Sequence, residues 1–504
     1  MTSHLNRRHF LRNLGGFGLA ASPLAMSLAA MSQASAATAS GYKALVCVFM
    51  YGGNDAYNTV LATDPASWSA YVAARGDGTG GSIALTAPGT PAASSSSAGF
   101  NALLGGALPI QPAHAQSRTF AVHPSLASVR DLFGAGRLAV LSNVGPLIGP
   151  TTKAAYLAGT APLPPKLYSH NDQQSVWQSM APEGSTRGWG GRMADLLLAG
   201  NGGSMFTSLS VSSQAVWLAG NQARQFQLSP GGVLQIGSPS GVLFNSALAQ
   251  QTMLSLMSSA RSANVMELDQ SGVSARAQSA AQTLSAAMPA ASAGPWGTAG
   301  LAAGATDPLL TYTDPSTGTS QFNPLAQQLQ AVARMIATSS SLGVSRQVFF
   351  VSLGTFDTHD NQSTQQASML AQLAQGLSYF DNVTRSMGVD QGVTTFTASD
   401  FGRTFQSNGD GTDHGWGSHH MIMGGAVRGG DIYGRFPTYG LSDGKGGSTS
   451  TDQLGAGAML PSVSVEQYAA TMGRWLGLTD AQLMSVLPAL ANWDPSVRNL
   501  GFLG

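Results

Sequence analysis

Three apolar runs in this chain each end at an acidic residue. Lys43 to Met50 passes directly into Tyr51-Gly52-Gly53-Asn54-Asp55. Gln347 to Leu353 passes into Gly354-Thr355-Phe356-Asp357-Thr358-His359-Asp360, and Val393 to Thr397 into Ser399-Asp400. Short, continuous apolar runs rich in Val and Phe read as strands buried on both faces. Helical stripes lie between and beyond them. Leu126, Val129, Leu132 and Phe133 lead to Gly134 and Gly136, before a further apolar run from Leu138 to Leu141. Leu325, Leu329, Val332, Met335 and Ile336 form a second stripe. Met369, Leu370, Leu373, Leu377 and Phe380 form a third, behind a Ser363–Gln366 capping-box pattern, and Tyr468, Met472, Trp475 and Leu476 a fourth. Strand alternating with amphipathic helix predicts an α/β domain around a mostly parallel sheet. In such sheets ligands bind beyond the carboxyl ends of the strands. Asp55, Asp357 and Asp400, hundreds of residues apart, are therefore expected on one edge.

Charge is scarce, and where it occurs it is concentrated. Only 10% of the 504 residues are Asp, Glu, Lys or Arg, and the formal net charge is zero. Six of the nine histidines (His123, His170, His359, His414, His419 and His420) sit in short tracts with acids or glycines. A nucleic-acid partner would call for a basic footprint, which is absent, and no polybasic segment suggests an anionic membrane surface. The single cysteine, Cys47, cannot form an intramolecular disulfide; inside an apolar run it reads as a small core hydrophobe.

The N-terminus reads as an address. Arg7-Arg8 precedes Phe10-Leu11, a mild apolar stretch runs to about Ala30, and Ala34-Ser35-Ala36 matches an A-x-A cleavage pattern. Residues 1–36 are thus expected to be a twin-arginine signal peptide, with the export machinery as a partner and a periplasmic or secreted destination. Gly15, Gly16, Gly18 and Pro23 interrupt the apolar stretch, so no permanent membrane span is expected. Residues 37–504 read as one domain. A Gly/Ser/Ala/Pro-rich segment near 76–116 looks like a surface insertion, and 196–305 like a cap or insertion, with a strand candidate at Val233 to Ile236 and a flexible Ala/Ser-rich stretch from Ser274 to Gly304.

Imidazole and carboxylate together suit zinc, manganese or iron, whereas carboxylate alone leans toward magnesium or calcium. Asp55, Asp357, His359, Asp400 and His414 could supply a site for one or two such ions, and a pair would clamp the attacking and leaving oxygens of a phosphate or sulfate ester. The competing reading is that Asp and Asn at strand ends cap the helices and turns that follow. His170 and Asp172 could bind substrate or metal, or hydrogen-bond within a loop. Arg403 could clamp an anionic oxygen or pair with a nearby Asp. His419-His420 could stand behind the ligands or be exposed. Trp177, Trp189 and Trp416 could wall a pocket, with buried packing the default.

The tracts Gly52-Gly53-Asn54-Asp55-Ala56-Tyr57-Asn58, Ser169-His170-Asn171-Asp172-Gln173-Gln174, Gly188-Trp189-Gly190-Gly191-Arg192, Phe356-Asp357-Thr358-His359-Asp360, Ser399-Asp400-Phe401-Gly402-Arg403 and Asp413-His414-Gly415-Trp416-Gly417 carry a resemblance over nearly the whole chain. It resembles the exported bacterial family catalogued as domain of unknown function 1501. That family in turn looks like a branch of the alkaline phosphatase and sulfatase superfamily. The resemblance implies an alkaline phosphatase-like three-layer sandwich, metal ligands at strand ends and hydrolysis of a small-molecule or polymer ester. The stretch from His123-Pro124-Ser125-Leu126 to Gly136-Arg137-Leu138 is similar to a sulfatase segment that precedes the nucleophile. That place falls here on Gly149-Pro150-Thr151-Thr152-Lys153, which makes Thr151 or Thr152 the candidate nucleophile; Thr152 also suits a helix N-cap. Asn54, Asn58, His170, Asp172 and Arg403 are the candidate substrate-binding positions.

Two departures bear on the metal count. The superfamily's S-D-H-G stands here as Ser399-Asp400-Phe401-Gly402, so one histidine ligand is lost. Asp357-Thr358-His359 is also tighter than the usual D-x-x-x-H. The expected cofactor is zinc, manganese, magnesium or calcium, as one ion, two, or none. The alternative function is a non-catalytic relative that binds a surface glycan, polymer or protein partner. A redox role, suggested only by the export route, finds no haem, flavin or iron–sulfur motif.

Overall fold

The computed structural model describes residues 41–76, 82–233, 242–302 and 304–504. The signal peptide expected at 1–36 lies outside them, as does most of the strand expected at Val233 to Ile236. Among the described residues, the central sheet comprises β1 (Lys43–Met50), β2 (Leu138–Gly145), β3 (Ser208–Ser210), β4 (Phe226–Gln227), β5 (Arg346–Leu353), β6 (Val393–Ser399), β7 (Ser418–Gly424), β8 (Ile432–Tyr433) and β9 (Val463–Ser464). The order across it is β8-β2-β7-β6-β1-β5-β3-β4, with β9 also on β2. β7 runs antiparallel to both its neighbours, β6 and β2; every other pairing is parallel. The mostly parallel α/β sheet expected from the sequence is present.

Central β1 shows how one apolar run serves two layers. Successive strand side chains point to opposite faces. Val46 and Val48 pack on one side and Leu45, Cys47 and Phe49 on the other, all essentially without exposure. Burying such side chains stabilises the fold by roughly 1.5–3 kcal/mol each for the larger ones. The helices around the sheet are α1 (Pro65–Arg75), α2 (Ala127–Gly134), α3 (His170–Ser179), α4 (Trp189–Leu197), α5 (Ala247–Ser258), which packs on the next helix rather than on the sheet, α6 (Val265–Ala287), α7 (Pro324–Ala337), α8 (Gln362–Ser386) and α9 (Val465–Leu476). α7 and α8 supply Leu325, Leu329, Leu370 and Leu377 to the first layer; α4 and α9 supply Trp189, Met193, Tyr468 and Met472 to the second. Helix, sheet and helix make the three layers, and Cys47 is plain core.

Several boundary expectations change. The Ser363–Gln366 capping box does not form: α8 begins behind Asn361, whose side chain makes no cap, and Gln366 turns inward to the Asp55 carbonyl instead. A true capping box starts α9, between Ser464 and Gln467. The segment at 196–305 is not all cap, because β3 and β4 extend the central sheet beside β5. Part of its Ala/Ser-rich stretch is helical, since α6 continues to Ala287, and alanine is the best helix former. Within the expected 76–116 insertion, Leu108–Ile110 pairs with Phe120–Val122, which also pairs with Val60–Ala62 in a small second sheet.

The register of β1 places the site. Met50 lies opposite Leu353 on one side and Ser399 on the other. The three acidic tracts therefore leave the sheet side by side at its carboxyl edge.

Candidate metal centre

Two glycines let the tracts close up. Gly52 and Gly53 have φ of +109° and +85°, which glycine adopts without steric cost. A Cβ on Gly52 would run into the backbone nitrogen of Asp357, and one on Gly53 into the ring of Phe401. Phe401, the departure from S-D-H-G, is fully buried as a result. Its ring lies 4.8 Å from the His170 ring and 4.6 Å from that of His414, a floor beneath both imidazoles.

Above that floor, three histidines present their Nε2 atoms to Asp357. His170 Nε2 is 3.3 Å from Asp357 Oδ2; His414 Nε2 and His359 Nε2 are 3.3 and 3.2 Å from Oδ1. The other ring nitrogens are committed. His414 Nδ1 lies 2.7 Å from the Tyr168 carbonyl oxygen, which can only accept, so Nδ1 carries the proton. His170 Nδ1 donates to Asp400 Oδ2 at 2.7 Å, where Gln174 Nε2 (2.8 Å) and the Gly52 amide (3.2 Å) also donate. His359 Nδ1 faces Asp413 Oδ1 at 3.3 Å. A carboxylate or carbonyl behind each imidazole is the arrangement that orients metal-binding histidines.

The lone pairs left over need a cation. His359 Nε2 accepts from Arg403 Nη1 at 3.4 Å and stands 3.0 Å from His414 Nε2, so with both Nδ1 atoms protonated it is the His414 lone pair that is left facing another lone pair. His170 Nε2 is buried and in hydrogen-bonding geometry with nothing among the described residues, despite its closeness to Asp357. Ligand atoms of His170, Asp357 and His414 lie within 4.8 Å of one another, so one ion could touch all three. The donor set thus fits a metal ion. The electrostatics pull the two imidazoles in opposite directions, His170 toward its charged form and His414 toward its neutral one. The Asp400 hydrogen bond, with the Asp357 charge, raises the His170 pKa against the effect of burial. Burial lowers that of His414, favouring the neutral ligand form. Burial works to raise the Asp357 pKa, but the Arg403 hydrogen bond and charge prevail and lower it.

Backbone strain marks the same place. Thr355 and Tyr168 hold φ of +74° and +71°, left-handed values that cost a non-glycine residue on the order of 1–3 kcal/mol. One precedes Asp357 by two residues, and the other supplies the carbonyl that fixes His414.

Other expected site residues go elsewhere. Asp55 stays out of the cluster: Arg75 takes both its oxygens, Gln362 Nε2 donates to Oδ2 at 2.6 Å, and it caps the turn Ala56–Thr59. Asn58 accepts from Tyr71 and Arg75 and donates to the Ile83 carbonyl; Asn54 bonds Thr59 and Ser399. Both asparagines are buried, which removes them from substrate contact. Arg403 is no substrate clamp either, because its guanidinium is spent on the carbonyls of Gly52, Gly53, Phe356 and Thr412 and on Asp357. Asp172 is buried against Ser169 at the start of α3. Thr152 caps the turn Lys153–Leu157 by accepting from Ala155, Thr151 donates to the Gly149 carbonyl, and among the described residues neither bonds to the cluster. His419, His420 and the three tryptophans are buried packing, and His123 accepts from the Ser125 amide.

The sequence reading missed Arg75, Gln174, Tyr168 and Asp413. Arg75 had a signal: it is the sole cation of α1, just after an acidic tract in a charge-poor chain. Gln174 stands four residues beyond His170 on one helix face, visible once that tract is helical.

The class of protein is now defined: an α/β fold with a histidine–carboxylate cluster at the carboxyl edge of its sheet. Residues 42–489 match the family described as protein of unknown function (DUF1501), and the chain belongs to that family. No match emerges among the curated proteins. No helix of the described residues is long and apolar enough to cross a membrane.

Proposed function

We propose that this chain is an exported, metal-dependent hydrolase of a phosphate or related ester, working with one divalent ion held by His170, Asp357 and His414. The observation that carries this reading is the convergence of imidazole Nε2 atoms on Asp357, each ring pinned from behind. Two imidazoles and a carboxylate favour zinc, manganese or iron over magnesium or calcium. An ion bound there would supply Lewis acidity toward an ester oxygen. A second ion is disfavoured because Arg75 already neutralises Asp55. Asp400 and the Tyr168 carbonyl hold the ligand rings in place. His359, more exposed than His414, takes the proton of the attacking water, since neither threonine reaches the cluster. Kinship with alkaline phosphatases and sulfatases is supported by the strand-end placement of the acids. Arg7-Arg8 and Ala34-Ser35-Ala36 support twin-arginine export to the periplasm or beyond, a route that carries folded protein with its ion loaded.

Elemental analysis of protein purified from its native host, paired with a screen of phosphomonoesters, phosphodiesters and sulfate esters, tests this. One equivalent of metal and turnover of at least one ester class are expected. Absence of both overturns the proposal. Metal without turnover selects the second reading, a non-catalytic relative that binds a surface glycan, polymer or protein partner. The observation favouring that reading is that the cluster lacks a side-chain nucleophile and that Arg403 has no donor to spare.

A further inference from the structure

A cavity of about 250 Å³, with no histidine among its described lining residues, lies between the loop after β2, the C-terminal end of α3 and the start of α9. That volume falls between the roughly 150 Å³ that accommodates benzene and the roughly 300 Å³ of the smallest ordinary ligand sites. Its wall is built largely of proline rings and aliphatic side chains, including Pro146, Pro165, Pro182 and Val176. Proline offers no N–H, so this wall presents few polar partners. Among the described lining residues the one charged group is Glu466.

Glu466 is only 4% exposed. Its Oε1 accepts from the Ala489 amide at 3.2 Å, whereas Oε2 is buried and bonds nothing among the described residues. Arg192 is close enough for its charge to act on Glu466, yet forms no ion pair with it; its guanidinium donates to the Ser179 carbonyl at 3.0 Å instead. A buried carboxylate oxygen with no donor costs free energy that a ligand could recover. Burial raises the Glu466 pKa to about 7, against the opposing pull of the Ala489 and Leu490 amides.

We infer that this cavity binds a small amine, its apolar body against the proline wall and its ammonium donating to Glu466 Oε2. The site is independent of the metal centre, so the proposed hydrolysis can fail without touching it.

The test is a calorimetric or NMR titration of the full exported chain with benzylammonium at about pH 8, alongside benzyl alcohol and benzoate. Saturable binding of benzylammonium is expected, with benzyl alcohol weaker and benzoate not bound. Glu466→Gln should weaken benzylammonium by about tenfold or more, the value of one charge-assisted hydrogen bond. Ile148→Trp, on the rim and clear of the Ala489 hydrogen bond, should abolish binding by filling the cavity, and serves if Glu466→Gln fails to fold. The inference is overturned by absent benzylammonium binding, by benzyl alcohol binding equally well, or by unchanged affinity in either folded variant.

Discussion

Asp55 and Asp357 both follow an apolar strand, yet Arg75 occupies both oxygens of the first while the second keeps Oδ2 toward His170. Exposure separates them further: the Asp55 side chain is 0% exposed and that of Asp357 is 44% exposed. Removing one charge from a buried pair strands the other, at about 3–5 kcal/mol. Asp55→Asn should therefore lower stability by that amount in urea titrations while the folded fraction keeps its metal. Asp357→Asn should do the reverse, losing the metal with a smaller change in stability. If both variants kept their metal, the ligand set would be misassigned. Gly53→Ala tests the floor of the site. With φ at +85° and Phe401 in the way, it should cost about 1–3 kcal/mol and loosen metal binding, read as a lower melting temperature and lower metal content. None of this division was visible in the tracts themselves, because an Asp at a strand end looks alike whether an arginine or a metal will meet it.

Among the elements, the turn beginning at Lys153 separates two roles for one residue. As an N-cap, Thr152→Val should cost about 1 kcal/mol and leave ester turnover intact, whereas a nucleophile would lose it all. Kinetics of that variant and of Thr151→Val decide the matter. The strands were legible because burial on both faces imposes an unbroken apolar run, and β1, β5 and β6 fall within about two residues of their expected ends. α2, α7, α8 and α9 were legible from their stripes, but the 23-residue α6, rich in Ala and Ser, was not. β3 and β4 were not, being two or three residues long and set in polar sequence, so no period could register. α8 kept its stripe but lost its expected cap, since Gln366 found a better acceptor in a tract some 300 residues away. Local pattern carries no information about such a partner.

Across the whole molecule, buried imidazoles set the acid limit. Burial pushes His123, His419 and His420 each down to about 3. Unfolded, they take up protons below about pH 6.5, so between there and about pH 3 the unfolded chain binds more protons and stability falls with falling pH. Each contributes a slope of about 1.4 kcal/mol per pH unit. Glu466, raised to about 7, opposes them with one such slope, because its native carboxyl keeps its proton from about pH 4.5 up to that value. Urea midpoints measured from pH 8 down to pH 4 should drop steeply below about 6.5, and a flat profile would refute the burial of these rings.

The place of β1 in the sheet has a consequence in time. Both of its neighbours, β5 and β6, are encoded some 300 residues or more downstream. At about 5–20 residues per second, the ribosome needs roughly 15–60 s to deliver the first of them. For that interval an apolar strand waits with both edges open, the condition under which nascent chains aggregate. The strand made first stays unpaired until β5 and β6 emerge, and the three acidic tracts cannot meet until synthesis has passed Asp400.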